Sequence, residues 1–404
     1  MQLVEKHIIK KSHKHYTEID NLSFLSKNLY NCGVYLCRQA LFNKQKRPNY
    51  YDLNNQLKTS SDYLALPAKV SQQILMQVDR CFKSFESALK AWARDKSKFT
   101  GKPKLPKYKD KIKGRNILTY TIQAVSKSAL KKGVINLSKT NIKIPTTVLG
   151  IKQARLVPIT GGYCIEIVYE DSVRDNNLNK SNVAGVDLGI NILAAVTSNV
   201  KVFKPQLVCG KAIKSCNQQY NRRKAILQSI LPKNQFSSNK INGLTKKRNN
   251  KVDYYLHTAS RFLINRLVEF NIGTLIIGKN DGWKQDINLG DKTNQKFKNI
   301  PHDKFISQLK YKAELVGIEV IFSEESYTSK TSFVDLEPIC KHQTYKGKRV
   351  KRGLFKSSNG LTYNADCNGS ANIARKVVGD AAFGSESVER CVVHPVRVKP
   401  YKVN

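Results

Sequence analysis

The chain has 404 residues, enough for two to four domains of about 100–200 residues each, and its 40% hydrophobic and 9% aromatic content is that of a folded protein. It carries 70 Lys and Arg against 30 Asp and Glu, a formal net charge of +40, and the commonest partner that neutralises such a surface is a polynucleotide backbone. We find neither an apolar run near the ~18 residues of a membrane-spanning helix nor the apolar core of a signal peptide, so we expect a cytoplasmic protein with no membrane partner.

The first part of the chain mixes helical and extended patterns. Residues 1–60 are rich in Lys and Tyr and show no strong periodicity. From Val70 to Trp92, apolar residues recur at steps of three or four, which predicts a helix with one buried face. Short alternating segments at 134–137 and 163–169 predict strands of a β-barrel or sandwich.

Residues 101–116, which we call the strap, separate that helix from those strands. Pro103 and Pro106 fix the backbone and remove hydrogen-bond donors, so an extended segment is expected. The strap has seven Lys and Arg against one Asp, and in a chain of this charge we expect it to contact phosphate groups. Its predicted nucleic-acid-binding residues are Lys102, Lys104, Lys107, Tyr108, Lys109, Lys111, Lys113 and Arg115.

From residue 182 the pattern alternates between strands and helices. Two apolar strands, 183–188 and 192–197, flank a Gly-Ile-Asn turn, and 213–270 is mostly helical and basic, including the candidate nucleic-acid contacts Arg222 and Arg223. The later elements are a strand at 274–277, a helix at 303–315, a strand at 318–322 and a helix at 370–378. This order predicts an α/β fold with a mixed sheet.

Two carboxylates stand where a catalytic metal ion could be held. Asp187 is the one acid in an apolar strand, and Asp366 precedes the helix at 370–378 with amide side chains nearby. Two-metal-ion phosphodiester hydrolysis needs carboxylates that converge on Mg²⁺, which prefers oxygen ligands. Either Asp could instead cap a turn or a helix, so taken singly each leaves both interpretations open.

Several longer segments of the chain carry recognisable motifs. VAGVDLGINILAAVTS, from residue 183, is similar to the first RuvC motif of the TnpB family of transposon-encoded, RNA-guided nucleases, and NADCNGSANIARKV, from residue 364, is similar to the third. DGWKQDINLGDKTNQKF, EESYTSKTSF and the strap resemble further blocks. The resemblance runs in the expected order from about residue 1 to residue 378.

The resemblance implies an RNase H-like RuvC nuclease domain joined to an N-terminal wedge β-barrel with an inserted helical recognition domain. It implies a transposon-derived guide RNA, a double-stranded DNA target beside a short transposon-adjacent motif, and two Mg²⁺ ions, with Mn²⁺ as a substitute. Guide pairing would read the sequence while the protein holds the backbones. A monomer is expected. The expected domains are 1–60 and 101–181 for the two parts of the wedge, 61–100 for the helical insert, 182–378 for the nuclease and 379–404 for a tail.

The second RuvC motif departs from the family, because Gly278 stands where a Glu usually ends the strand at 274–277. We expect that strand and the strand at 318–322 to be parallel neighbours whose ends lie about 5 Å apart. Glu324 or Glu325, just past the second strand, could then supply the missing carboxylate. Consecutive side chains point to opposite faces, so one of the two is expected to face the metal ions, and the sequence does not say which.

The family's four-Cys zinc ribbon is also absent. Residues 327–364 are predicted to be a degenerate, metal-free ribbon, and zinc is not expected even with Cys340, His342 and Cys367 as substitute ligands. Within it, 341–356 has seven Lys and Arg and no acid, which predicts a loop lying along nucleic acid. The ligand positions of the ribbon hold Ser332, Asp335, Lys356 and Asn359. The candidate contacts are Lys348, Arg349, Lys351 and Arg352.

Three alternatives stay open at this point. A nuclease-dead relative would keep RNA-guided DNA binding and repress transcription, and the missing Glu favours it. A compact type V CRISPR effector would have the same chemistry in a different genetic setting. A strand-transfer transposase acting without RNA is less supported, because no His-hydrophobic-His and Tyr arrangement stands out.

Overall fold

The chain forms two compact units, which we call the N-terminal unit, Met1–Asp171, and the C-terminal unit, Ser172–Asn404. Within the part of the chain that is described, no helix is both long enough and apolar enough to cross a membrane. The computed structural model describes residues 1–174, 176–280, 299–384 and 388–400.

The N-terminal unit packs helices on a four-stranded antiparallel sheet of order β1-β6-β5-β2, beside a separate β3-β4 hairpin. The strands are β1 Gln2–Lys10, β2 Leu118–Thr121, β3 Val134–Asn136, β4 Lys143–Pro145, β5 Ile151–Ile159 and β6 Gly162–Glu170. The helices are α1 Tyr16–Phe42, α2 Tyr50–Leu57, α3 Ser61–Leu64, α4 Ala68–Arg94 and α5 Lys127–Lys131. The predicted strands at 134–137 and 163–169 are therefore present as β3 and β6.

Of the two long helices in this unit, the sequence pattern predicts α4 but does not reveal α1. Helix α4 buries one apolar face, as its periodicity indicates. Helix α1 buries Ser23, Ser26 and Lys27 beside its apolar residues. It also buries Gly33, where an added Cβ would approach Val78 of α4 at 3.2 Å. Buried polar and small residues interrupt the apolar stripe, which is why 1–60 shows no clear helical period.

The C-terminal unit contains the predicted mixed sheet, with strand order β11-β10-β7-β8-β9-β15. Its strands are β7 Asn179–Leu188, β8 Ile192–Ser198, β9 Gln206–Cys209, β10 Ile272–Gly278, β11 Glu319–Ser323 and β15 Val396–Val398. Its helices are α6 Lys211–Ser229, α7 Asn239–Glu269, α8 His302–Leu315 and α9 Ala365–Val378. Strands β10 and β11 are parallel neighbours, with Gly278 opposite Ser323, which confirms the predicted pairing.

Helices cover both faces of this sheet. One apolar cluster joins Ala184, Val186 and Leu188 of β7 to α7 and α8. A second cluster joins Val183 of β7 and Ile276 of β10 to α9. Because side chains alternate along a strand, odd-numbered positions of β7 and even-numbered positions of β10 face α9.

Two segments differ from their prediction, and the tail, for which the sequence predicts no element, contains a strand. Helix α9 begins at Ala365, five residues before the predicted start, because Asn364 caps it and accepts hydrogen bonds from Asp366 N (2.9 Å) and Cys367 N (3.1 Å). The predicted loop 341–356 is largely a β-hairpin that forms a three-stranded sheet with one further strand. The poorly periodic tail supplies the edge strand β15. The strands of the small sheet are β12 Lys348–Lys351, β13 Leu354–Lys356 and β14 Thr362–Asn364.

Candidate active site

Asp187 lies on the α9 side of β7, where two glycines let the helix come close. An added Cβ on Gly185 would collide with the Ser370 carbonyl oxygen, and one on Gly369 would lie 2.7 Å from Asp187 Oδ2. Ser370 Oγ donates to Gly185 O at 2.8 Å. The close packing of helix on strand therefore brings the start of α9, with Asp366 in its first turn, to the Asp187 carboxylate.

The amide side chains of Asn368 and Asn372, near Asp366, bond to the backbone of the segment that follows β11 rather than to the Asp366 carboxylate. Asn368 Nδ2 donates to Thr331 O at 2.9 Å, and Asn372 Nδ2 donates to Thr331 O at 2.7 Å. Phe333 N donates to Asn368 Oδ1 at 3.0 Å. These buried amides fix the segment that follows β11 onto α9.

Glu325 and Glu324 have different surroundings. An added Cβ on Gly278 would collide with Glu325 Oε1, so the Glu325 carboxylate lies where a residue 278 side chain would begin. Glu325 N donates to Asn280 Oδ1 at 2.9 Å, and Asn280 Nδ2 donates to Glu325 Oε2 at 3.3 Å. Glu324 is exposed and forms an ion pair with Lys376 at 2.7 Å. Of the two candidates, the geometry favours Glu325.

The three acids influence one another electrostatically. Burial raises the pKa of Asp187 well above its usual range, and the charges of Glu325 and Asp366 raise it further. Part of the Asp187 residue is accessible to solvent, but its carboxylate is surrounded by protein atoms. This burial of the carboxylate is the main cause of the raised pKa. Burial, followed by the charge of Glu324, raises the pKa of Glu325 to about 7. Burial also raises the pKa of Asp366, against the opposing charges of Arg349 and Arg352. A cation would relieve this repulsion between carboxylates.

The available ligand atoms suit a hard cation. Glu325 Oε1 is buried and, among the described residues, has no hydrogen-bond partner. In the side-chain positions described, no three His, Cys, Asp or Glu residues converge closely enough to hold a metal ion. Mg²⁺ keeps several waters and takes only one or two protein carboxylates, so it does not need that convergence. An oxygen-only donor set therefore fits Mg²⁺ or Mn²⁺ rather than zinc.

Two family models and a curated relative match parts of this sequence. The chain matches the family model OrfB_IS605, described as a probable transposase, over residues 166–284, and the Cas12f1-like TNB domain over residues 302–373. It is 25% identical over 231 residues to the TnpB-like protein ORF457 of Acidianus two-tailed virus. The matched region makes up 55% of this chain and 48% of that protein. These matches support the assignment of the chain to the TnpB family.

A second relative of this TnpB-family chain is the CRISPR-associated endodeoxyribonuclease Cas12f2 of a Micrarchaeota archaeon (strain CG1_02_47_40). It is 26% identical over 230 residues, which is 54% of this chain and 41% of that protein. The chain thus spans about half the length, or slightly less, of the curated relatives it matches. The block 281–297, part of the family resemblance, lies outside the described residues.

Two solved structures are matched at low sequence identity and low TM-score. The Cas12f1–sgRNA–target DNA complex is matched at 16% identity with a TM-score of 0.48, over 88% of this chain and 82% of that chain. CasPhi-2 (Cas12j) bound to crRNA is matched at 9% identity with a TM-score of 0.45, over 96% of this chain and 99% of that chain. Because both TM-scores are below 0.5, the α/β fold of the C-terminal unit is assigned from its strand order and not from these two structures.

The degenerate ribbon, residues 327–364, is closed by hydrogen bonds. The buried Glu337 carboxylate accepts from Ser332 N at 2.8 Å and from Lys346 N at 2.7 Å. Asp335, at one of the positions that hold Cys in the family, accepts from Ser358 N at 3.0 Å. The proposed substitute zinc ligands do not form a described metal-binding group, since Cys340 is exposed and Cys367 lies in the apolar core.

The basic hairpin places cations beside the acids. Lys348, Arg349, Lys351 and Arg352 are all exposed, and Arg349 Nη2 lies 3.5 Å from Asp366 Oδ1. A phosphate group approaching Asp366 would therefore come within reach of Arg349. The candidate contacts Arg222 and Arg223 lie apart from this hairpin in the chain, exposed on α6.

In the N-terminal unit, the strap runs antiparallel along α1. Asn31 pairs with the backbone of Lys109 through two hydrogen bonds of 3.0 and 2.9 Å. Further along the strap, Lys27 Nζ donates to Lys111 O at 2.7 Å. Side chains of α1 thus satisfy the strap backbone, which has no strand partner among the described residues.

The strap side chains predicted to contact nucleic acid differ in whether they already pair with other residues of the N-terminal unit. Arg115 makes a two-pronged ion pair with Asp20, at 3.0 and 2.7 Å, so we expect it to hold the strap on α1 rather than bind nucleic acid. Lys109 lies 5.2 Å from the Tyr30 ring, and Arg38 lies 5.1 Å from the Tyr108 ring. The remaining exposed strap cations are Lys102, Lys104, Lys107, Lys111 and Lys113.

Proposed function

We propose that this chain is an RNA-guided DNA endonuclease that hydrolyses phosphodiester bonds with two Mg²⁺ ions, each bound by one or two of the carboxylates of Asp187, Glu325 and Asp366. The observation that supports this most is the Glu325 carboxylate at the space beside Gly278, where the family usually has a Glu. The C-terminal unit would be the RuvC-like nuclease domain. The N-terminal unit would combine the wedge and the helical recognition part.

Each side chain at the site would have a separate task. When bound, Mg²⁺ would activate water and stabilise charge on the phosphate. Asp187, on the central strand β7, would give the most rigid carboxylate, and Asp366 would be held by the cap at the start of α9. Arg349 would bind the substrate phosphate, which would release Asp366 from their ion pair. Asn280 would position Glu325 without touching the substrate.

A polar cavity in the N-terminal unit is a candidate reader of the short DNA motif. It has a volume of about 370 Å³ and lies between α4 and the strands β2 and β5. Its lining includes Gln77, Arg80, Thr119 and Arg155. Gln and Arg side chains can each make paired hydrogen bonds to base edges, to adenine and guanine respectively. We therefore propose this cavity for the transposon-adjacent motif.

The decisive experiment starts from the RNA. The protein is purified with its bound RNA, that RNA is sequenced, and a plasmid library with random sequence beside the matching target is offered with Mg²⁺. Cleavage beside one short motif is expected, and none with EDTA. Binding without cleavage under every metal condition would contradict the nuclease assignment.

The second candidate is a nuclease-dead, RNA-guided DNA-binding repressor. It is favoured by Gly278, which stands where the family usually has a Glu. The same experiment separates the two, because a repressor would protect the target from added nuclease and leave it uncut. A compact type V CRISPR effector would cleave in the same way and would differ in having a neighbouring repeat array.

A further inference from the structure

Helices α6 and α7 form an antiparallel hairpin of unusual charge. Tyr220 OH lies 3.1 Å from Thr245 Oγ1, and Arg248 Nε donates to Asn217 Oδ1 at 2.7 Å. Residue numbers fall on one helix as they rise on the other, so the chain doubles back between them. Residues 211–252 contain 11 Lys and Arg and no Asp or Glu. The part of the hairpin formed by residues 211–252 therefore carries cations and no acidic side chain.

The end of this hairpin exposes apolar side chains. Ile226 is 58% exposed, Ile230 71% and Phe236 81%. Ile226 lies in the last turn of α6, and the connection that carries Ile230 and Phe236 is a folded turn, because Leu231 N donates to Gln228 O at 3.2 Å and Gln235 N donates to Pro232 O at 3.1 Å. We call residues 226–236 the hairpin tip. Large apolar groups on an ordered turn, outside any core, indicate a binding surface.

We propose that the hairpin tip stacks on the bases of a single-stranded polynucleotide while the cations beside it bind the phosphates. This rests on the proposed function only in taking nucleic acid as the partner. Proteins that bind single strands combine a cationic track with side chains on which bases stack. Phe236 is the stacking group, and Arg222 and Arg223, both exposed on α6, are the nearest paired cations in sequence.

Charge distinguishes this occupant from a second copy of the chain. Another copy has the same +40 charge and would bring the same acid-free segment, residues 211–252, to the contact. Repulsion between the two would oppose burial of the apolar tips. A duplex is disfavoured for a different reason, since its bases are already stacked on each other. An unpaired strand offers both the phosphates and the free base faces that the tip and its cations require.

The test compares Phe236→Ala with Val202→Ala in the full chain. Val202 is a matched control, because it is an apolar residue of the same unit with 72% exposure. The probes are an oligothymidylate strand and a blunt duplex, each measured over a range of salt. We expect Phe236→Ala to bind the single strand roughly tenfold more weakly, with an unchanged salt slope and unchanged duplex binding. Val202→Ala should bind both probes as the wild type does.

The cations give the complementary result. Arg222→Gln with Arg223→Gln should lower the log–log salt slope on the single strand by about 1.4, at about 0.7 per lost phosphate contact. Wild-type binding of the single strand by Phe236→Ala would overturn the proposal, and so would loss of self-association in that variant, which would make the tip a contact between copies. Absence of cleavage by the wild type would count against the nuclease alone, because these binding measurements do not depend on it.

Discussion

The site around Gly278 and the degenerate ribbon both lack side chains that the family usually has, yet they differ in what stands in their place. Beside Gly278, the Glu325 carboxylate comes from the neighbouring strand end and is held by Asn280. In the ribbon, the positions of the zinc ligands hold no equivalent donor set, and Glu337 joins the chain through backbone amides instead. A catalytic cation needs oxygen ligands at one place, whereas a structural cross-link can be replaced by any bond that closes the loop.

The largest expected effect follows from removing an acid that both strand and helix position. Asp187→Ala and Asp366→Ala should each reduce cleavage by more than about a hundredfold, since even outer-shell changes at metal sites cost about 10–100-fold. Guide-dependent DNA binding, measured by gel shift without Mg²⁺, should stay near wild type, because phosphate contacts are spread over many cations. Wild-type cleavage by either variant would remove that residue from the site.

The next test separates the two adjacent glutamates. Glu325→Gln should lose cleavage by about a hundredfold, because its carboxylate lies beside Gly278, while Glu324→Gln should cleave nearly as the wild type does. Glu324 serves as the matched control, since it is one residue away and paired with Lys376 outside the site. Equal activities of the two variants would argue against a relocated ligand.

A double variant sharpens this comparison. Introduced alone, Gly278→Glu should disturb the site, because the new side chain would collide with Glu325 and its Cβ would lie 2.6 Å from Ile373 Cδ1. Combining Gly278→Glu with Glu325→Ala removes the main collision and restores a carboxylate to the position usual in the family. Partial recovery of Mg²⁺-dependent cleavage, relative to Glu325→Ala alone, is the expected result. A double variant as inactive as Glu325→Ala would show that the two positions are not interchangeable.

A smaller effect is expected from the residue that positions the glutamate. Asn280→Ala removes both hydrogen bonds to Glu325 and should weaken metal binding by about 10–100-fold, while leaving the carboxylate itself in place. Binding of Mn²⁺, followed by electron paramagnetic resonance without nucleic acid, measures this directly. Asn280→Ala should also need more Mg²⁺ for half-maximal cleavage and should recover much of its rate at saturation. Unchanged Mn²⁺ affinity would leave Asn280 with a purely structural role.

How far the sequence predicts this site depends on the range of the interactions. Asp187 and Asp366 could be named as candidate site residues from short motifs, because each motif lies within one turn or strand end. The parallel pairing of β10 and β11 was also predicted correctly, since it follows from strand order. The choice between Glu324 and Glu325 was not possible, because it depends on the backbone after β11 and on Asn280, which lies 45 positions earlier.

The elements that the sequence did not predict share another property. Helix α1 buries polar residues that bond to the strap, and α9 buries Gly369, Asn368 and Asn372 against the sheet and the following loop. Their buried faces thus mix apolar with polar and small residues, so a search for apolar periodicity misses α1 and starts α9 late. Likewise, Arg115 looks like its basic neighbours in sequence, and its pairing with Asp20 is visible only in three dimensions.

The smallest effect expected concerns the ribbon and is a change in stability rather than in chemistry. Glu337→Ala should leave the backbone amides of Ser332 and Lys346 without their carboxylate. Because the Lys346 amide is only partly buried, we take about 1.5 kcal/mol for each bond, the lower end for a bond to a charged group, which gives a loss of about 3 kcal/mol. For a unit of this size that corresponds to a fall in Tm of about 6–12 °C, measured by differential scanning fluorimetry. Glu389→Ala is the control, because Glu389 is exposed and accepts from Asn359 at 3.1 Å. If hydrogen bonds replace the metal, a zinc chelator should leave the wild-type Tm unchanged. A chelator-induced fall in Tm that added zinc reverses would show instead that the ribbon still binds a metal ion, and the contrast with the site at Gly278 would be lost.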